Sequence, residues 1–461
     1  MEKVISELKK ILPPGNVITE KEELVSYSYD ATADMPSQVP DAVVMPETTE
    51  QVQAIVKVAK ESKTPIYTRG AGTNLSGGTI PTKKGIVLLT VKMNNIEELD
   101  VKNLNAVVQP GVIIQDLNDR LVEHGLMFPP DPGTVKTATM GGATAECSGG
   151  LRGLKYGVMK HYIMGLEVVL ANGEVVFFGG KTVKNVTAYD MVKLFVGSEG
   201  TLGIITKIVA KLIPAPEDKK SMLATFDKLE DAGNAVVDIV ANKVTPATLE
   251  IMDNATIKTV ENYAKVGLPT DADAILLIEV DGISEVVAKD ANVVVDLVKK
   301  NNGTIKVAET DEERDGLWAA RRAALPALAQ MSPTTVLEDA TVPRSELTKM
   351  LIELQRIAKD YNLNIGTFGH AGDGNLHPTI LCDERNEEEM KRVHKAVDEI
   401  FAAALKLGGT LSGEHGIGMA KMKYLKDEIG ESGVALLKTV KEALDPDYIL
   451  NPGKMVPLKG E

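Results

Sequence analysis

Apolar positions along this chain follow two different periods. Val52, Ile55, Val56 and Ala59 recur at the three-and-four spacing of an amphipathic helix, and Thr48 with Gln51 forms a capping box ahead of them. Short apolar runs read as strands at 65–68, 85–91 and 106–109, and a helix from about 113 to 124 is stopped by Gly125. Residues 168–176 read as a hairpin turned by Asn172-Gly173. At Ile213-Pro214-Ala215-Pro216 the texture changes, since two prolines in three residues break both periods and mark a boundary. Beyond it the order is strand 222–226, helix 229–242, strand 247–252, then strand 275–280, helix 284–300, strand 304–309. Two such units in succession predict a split-βαβ, ferredoxin-like domain, and therefore an α+β chain. After Gly418 the chain reads as helical through Leu444 and ends in proline turns.

A length of 461 residues allows two or three domains, because single cores stop growing near roughly 250 to 300 residues. The net charge of −14 argues against nucleic acid and against an anionic membrane surface, both of which need clustered lysine and arginine. Two cysteines, Cys147 and Cys382, provide neither a disulfide framework nor the four thiolates of an iron–sulfur cluster. The charged N-terminus lacks the apolar core of a signal peptide, and no run approaches the roughly 18 apolar residues of a membrane helix. A cytoplasmic address is the expectation.

Chemistry enters at Gly369-His370-Ala371-Gly372-Asp373-Gly374-Asn375-Leu376-His377-Pro378. If Asp373-Gly374 is a two-residue turn, His370 and His377 stand opposite each other with Cβ atoms about 5 Å apart, close enough to share a metal ion. Asp373 is then the turn former and Asn375 its hydrogen-bonding partner. Ser412-Gly413-Glu414-His415-Gly416-Ile417-Gly418 adds a carboxylate and a third imidazole on a glycine-flanked loop. Together, His370, His377 and Glu414 make a facial ligand set suited to Zn²⁺, Fe²⁺ or Mn²⁺ with positions left open for substrate oxygens. The other three of the six histidines, His124, His161 and His394, sit in plain contexts and read as structural.

The first half is rich in glycine loops. Arg69-Gly70-Ala71-Gly72-Thr73-Asn74-Leu75-Ser76-Gly77-Gly78 is neither a Walker loop nor a dinucleotide fingerprint, although its successive N–H groups could nest a pyrophosphate. Pro132-Gly133-Thr134, Met140-Gly141-Gly142-Ala143-Thr144-Ala145, Cys147-Ser148-Gly149-Gly150 and Gly197-Ser198-Glu199-Gly200-Thr201-Leu202-Gly203 follow. A large flat cofactor pressed against backbone explains such density.

These glycine tracts, with the two histidine motifs, resemble the FAD-binding flavoproteins of the vanillyl-alcohol-oxidase (PCMH) type, and within them the D-lactate dehydrogenase and glycolate oxidase flavin-subunit group. The resemblance runs from about Asp30 to Lys454. It implies an FAD-binding domain over 1–215, a substrate cap over 216–418 carrying the metal hairpin, and a C-terminal segment 419–461 returning to the FAD domain. Residues 70–74 would meet the pyrophosphate. The loops 133–150 and 199–204, ending at Ile204, would lie along flavin and ribose, with Arg69, Ser76, Gly77 and Asn451 also in the cofactor site. His415 would be the catalytic base. Several relatives carry a flavin-linked histidine in the first glycine loop, but this chain has Gly72-Thr73-Asn74, so FAD is expected to be held non-covalently.

Trp318 to Arg322 reads as the start of an apolar helix continuing to Ala329. Two arginines at a helix N-terminus oppose its dipole, and a substrate carboxylate would account for Arg321 while Arg322 pairs at the surface. The expected activity is oxidation of a short D-2-hydroxy acid, D-lactate first. Electrons would pass to O₂, a quinone, or an acceptor protein such as an electron-transferring flavoprotein or an iron–sulfur subunit, and the sequence does not choose among them. Glycolate or D-2-hydroxyglutarate are alternative substrates, and a metal-dependent hydrolase of a nucleotide-like substrate is an alternative of another class.

Overall fold

The computed structural model describes residues 1–458 and divides into two compact units. The first comprises 1–149, 158–215 and the described residues from 414 onward, and the second 150–157 and 216–413. Residues 150–157 thus go with the cap, and the return to the first unit starts at Glu414.

In the first unit a four-stranded sheet runs in the order Val17–Ile18, Ala42–Val44, Ile86–Leu89, Ile66–Arg69, its last three strands parallel. The helix Thr49–Ser62 makes the crossover that parallel pairing requires, and Thr48 caps it by accepting from the Gln51 N–H. Its apolar stripe, Val52, Ile55, Val56 and Ala59, packs on Ile66, Ile86 and Leu88 in a cluster that also contains Ile449 and Leu450. The C-terminal segment belongs to this core: the Ile66 N–H donates to the Ile449 carbonyl, and the Asn451 N–H to the Ile66 carbonyl. A five-stranded antiparallel sheet has the order Ile96–Asp100, Asn105–Val108, Ile204–Lys211, Ile163–Val169, Val175–Gly179.

The second unit is built on an antiparallel sheet of seven strands in line: Thr304–Val307, Asp218–Phe226, Ala274–Gly282, Thr248–Asp253, Asn364–His370, Asn375–Cys382 and Thr334–Leu337. An eighth, Ala340–Thr341, also pairs with Asn375–Cys382. Its first four strands stand in the split-βαβ order, fourth, first, third, second. The histidine hairpin extends that sheet, because Ile251 and Met252 pair with Gly369 and Phe368. Helices Leu229–Ala241, Ser284–Lys300, Leu347–Asp360 and Glu387–Lys406 form one layer. Asn254–Ala264, Asp311–Arg322 and Ala324–Ala329 form another, with Trp318, Ala324 and Leu328 packed among Ile257, Ile275 and Phe368.

Two local expectations are corrected. Arg321 and Arg322 lie in the last turn of helix Asp311–Arg322, which starts at the cap Thr310 with Asp311, Glu312 and Glu313 in its first turn. Charge therefore follows the dipole at both ends, and the apolar run begins a second helix after Ala323. The histidine hairpin, moreover, has a four-residue connection. Ala371–Asp373 form a 3₁₀ turn and Gly374 is left-handed at φ 84°, so His370 pairs with Asn375 and His377 with Phe368. Any Cβ at Gly374 would stand 2.1 Å from the Val342 carbonyl oxygen.

Candidate functional site

The chemistry-bearing residues of the first unit gather around its glycine loops. Arg69 ends the strand Ile66–Arg69, and its Nη1 donates to the Tyr29 carbonyl at 2.6 Å while the guanidinium fills the space over Gly72, whose φ is 72°. It thus braces the loop from within. Asn74 is held by Asp30 at 2.7 Å, and the Gly77 N–H donates to Thr32 at 2.7 Å. Asn451 Nδ2 bridges the carbonyls of Gly78 and Glu199.

Fitness for a polar cofactor can be read from what this region leaves unsatisfied. Thr68 Oγ1, Ser76 Oγ, Glu146 Oε2 and Asn451 Oδ1 are buried side-chain atoms with no hydrogen-bond partner. Buried polar atoms are rarely left so, and a ligand with many donors and acceptors would complete them. Glu146 Oε1, Asn74 Nδ2 and Ser76 Oγ converge on the open side of Gly78. FAD fits this donor and acceptor set.

The remaining glycine-loop residues take several roles. Gly141 and Gly142 open the helix Met140–Glu146, capped by Thr139, while Gly133 and Thr134 are exposed and Ile204 is buried in the five-stranded sheet. Gly203 lacks a Cβ because Val168 occupies that space. Burial lifts the Glu199 carboxyl above the usual range, and at Glu146 burial, with Glu199 and Asp30 adding repulsion, lifts it well above. Glu199 accepts the N–H groups of Ile417 and Gly418, each at 2.7 Å, and so ties down the segment that carries Glu414 and His415. The sequence carries no signal for that anchoring role. On the segment itself His415 Nε2 lies 3.9 Å from a Glu414 oxygen.

In the second unit His370 and His377 come together. Although not cross-strand partners, they share a face of the sheet, because the connection is longer by two residues than a two-residue turn and a two-residue shift preserves side-chain direction. Their ring centroids lie 5.1 Å apart. Both are buried, at 6 % and 3 % exposure. His370 Nδ1 is bonded to Glu250, 2.8 Å from Oε1 and 3.0 Å from Oε2. Arg321 Nε and Nη2 each lie 2.7 Å from Glu250 Oε2, and the guanidinium stacks over Phe368 at 4.8 Å. Burial alone would raise the Glu250 carboxyl, yet His370 and Arg321 outweigh it and hold it below the usual range. Arg322 is exposed.

Glu250 was not singled out from the sequence, though a carboxylate between the apolar residues Leu249 and Ile251 of the strand Thr248–Asp253 is the signal that could have found it. Asn375 turns its side chain away from Asp373 and donates to Asp339 and to Thr341, while its backbone N–H meets Asp373 at 3.3 Å. Asp339 is fully buried and also accepts from Ser412 at 2.6 Å.

Known proteins match this architecture along its length. The family described as FAD binding domain matches residues 40–179, and the one described as FAD linked oxidases, C-terminal domain, matches 215–455. Glycolate oxidase subunit GlcD of Bacillus subtilis is 50 % identical over 453 residues, covering 98 % of this chain and 96 % of that protein. The D-lactate dehydrogenase of Archaeoglobus fulgidus is 37 % identical over 464 residues, covering 98 % of each. Among solved structures, p-cresol methylhydroxylase with substrate bound superposes with a TM-score of 0.83 at 23 % identity, over 100 % of this chain and 98 % of that one. That last likeness is one of fold.

Proposed function

Because this chain belongs to the family of FAD-linked oxidases, we propose that it oxidises a short 2-hydroxy monocarboxylate, D-lactate first, to the 2-oxo acid. The observation that carries the reading is the buried pair His370 and His377, set beside Arg321 on one face of the cap sheet. In this proposal His370, His377 and Glu414 hold a divalent ion, and Arg321 offers Nη1, left outside its pairing with Glu250, to the substrate carboxylate. His415 takes the hydroxyl proton. When bound, FAD supplies the acceptor for the two electrons and the ion supplies Lewis acidity at the substrate oxygens. With two cysteines in the chain, the electrons leave for an external acceptor, an electron-transferring flavoprotein or an iron–sulfur subunit. Membership of the family sets aside a nucleotide hydrolase.

Substrate size follows from charge. A distal carboxylate would need a second cation, and in this proposal only Arg321 and the ion receive charge. Phe368, against both Arg321 and His377, instead offers an apolar wall worth roughly 1 to 3 kcal/mol per methylene-sized group. Glycolate is the second reading, supported by the half-identical relative named for it. Anaerobic flavin bleaching and side-by-side specificity constants decide. D-lactate is expected above glycolate and far above D-2-hydroxyglutarate or L-lactate, and a preference for the dicarboxylate would overturn the assignment.

A further inference from the structure

We propose that Glu250 is a positioning residue serving two tasks at once: it fixes the ring of the metal ligand His370 and the guanidinium of the carboxylate clamp Arg321. The inference rests on the metal and clamp roles proposed above. Glu250 lies on the strand Thr248–Asp253, and the neighbouring pairs Ile251 with Gly369 and Met252 with Phe368 set it beside His370 on the same sheet face. Its carboxylate is 1 % exposed. At such burial an ion survives only with close partners, and its partners are His370 Nδ1 at 2.8 Å and Arg321 Nε and Nη2 at 2.7 Å.

The direction of the first bond follows from charge. An ionised carboxylate can only accept, and a guanidinium beside it keeps it ionised, so the proton between Glu250 and His370 resides on Nδ1. A neutral imidazole protonated there has its lone pair on Nε2, the form and orientation in which a histidine binds a metal. The second bond acts on Arg321 in the same way. A guanidinium held through Nε and Nη2 has lost the freedom of its terminal torsions, and the fork presents Nη1 in one direction only. Phe368 closes the arrangement, stacked under Arg321 at 4.8 Å and against the His377 ring at 5.5 Å. One carboxylate therefore couples the metal half of the site to the carboxylate half.

The test uses the flavin-loaded protein with three variants: Glu250→Gln, Arg321→Leu, and the double Glu250→Leu/Arg321→Leu, which leaves no unpaired buried charge. Zn²⁺ or Mn²⁺ affinity is measured by titration with elemental analysis, and KM for D-lactate by flavin bleaching. Loss of such an outer partner weakens metal binding by about 10- to 100-fold. Glu250→Gln and the double variant are expected to show that weakening together with a raised KM. Arg321→Leu is expected to raise KM and, by removing the charge that keeps Glu250 ionised, to weaken ion binding by no more than Glu250→Gln does. Ion affinity unchanged in Glu250→Gln, or losses confined to flavin content and melting temperature, would overturn the positioning role alone. A parent protein that takes up neither ion would overturn the metal reading and this inference with it.

Discussion

His370 and His377 meet edge to face, ring centroids 5.1 Å apart and planes 87° from parallel, both beneath the surface of the cap sheet. Two imidazoles so placed can converge on one ion without moving the backbone. Chelator treatment should abolish activity while leaving flavin bound, and one divalent ion per chain should restore it. His377→Ala should lose the ion and keep the flavin, as judged by elemental analysis beside the visible spectrum. Full activity in a rigorously metal-free preparation would sink the metal assignment.

His415 follows Glu414 on the segment that Glu199 anchors through the N–H groups of Ile417 and Gly418. A general base contributes about 10²- to 10⁴-fold in rate. His415→Ala should therefore slow anaerobic substrate-driven flavin bleaching by that factor, with metal and flavin contents unchanged. An unaltered bleaching rate would remove His415 from the chemistry.

Flavin attachment should be non-covalent. The first glycine loop offers Gly72, Thr73 and Asn74, and the Asn74 amide is already bound to Asp30. Acid precipitation is expected to release all of the yellow colour to the supernatant. A coloured pellet would contradict this.

Lys454 is 1 % exposed and donates to the Ile80 carbonyl at 2.6 Å. Burial pulls its ammonium pKa down to about 7, against the opposing pull of Asp30 and Glu199. Above that value the folded state has released a proton that the unfolded chain keeps until about 10.5, so unfolding becomes costlier as pH rises between the two. In flavin-free protein, the melting temperature of the parent minus that of Lys454→Met should grow as pH is raised from 7 towards 10. A difference that is flat or shrinking over that window would show that the lysine is not perturbed as described.

Short-range signals in the sequence determined much of the fold. Helix Ser284–Lys300 and strand Thr304–Val307 follow from apolar period and turn residues, because those forces act within a few residues of chain. The two histidines could be assigned to one face of a hairpin from sequence, and that survived an incorrect turn because the connection gained an even number of residues. The order of the first four cap strands was implied by the split-βαβ reading, but the strand that the histidine hairpin joins, and the long-range side-chain partners, were not legible. Tertiary packing decided that Glu250 stands beside His370 across 120 residues of chain, that Asn375 is bound to Asp339, and that Glu199 holds the Gly418 N–H from 219 residues away. Such partners are chosen by which strands become neighbours and by the cost of burying an unpaired charge, and both are properties of the packed chain that no local window of sequence contains.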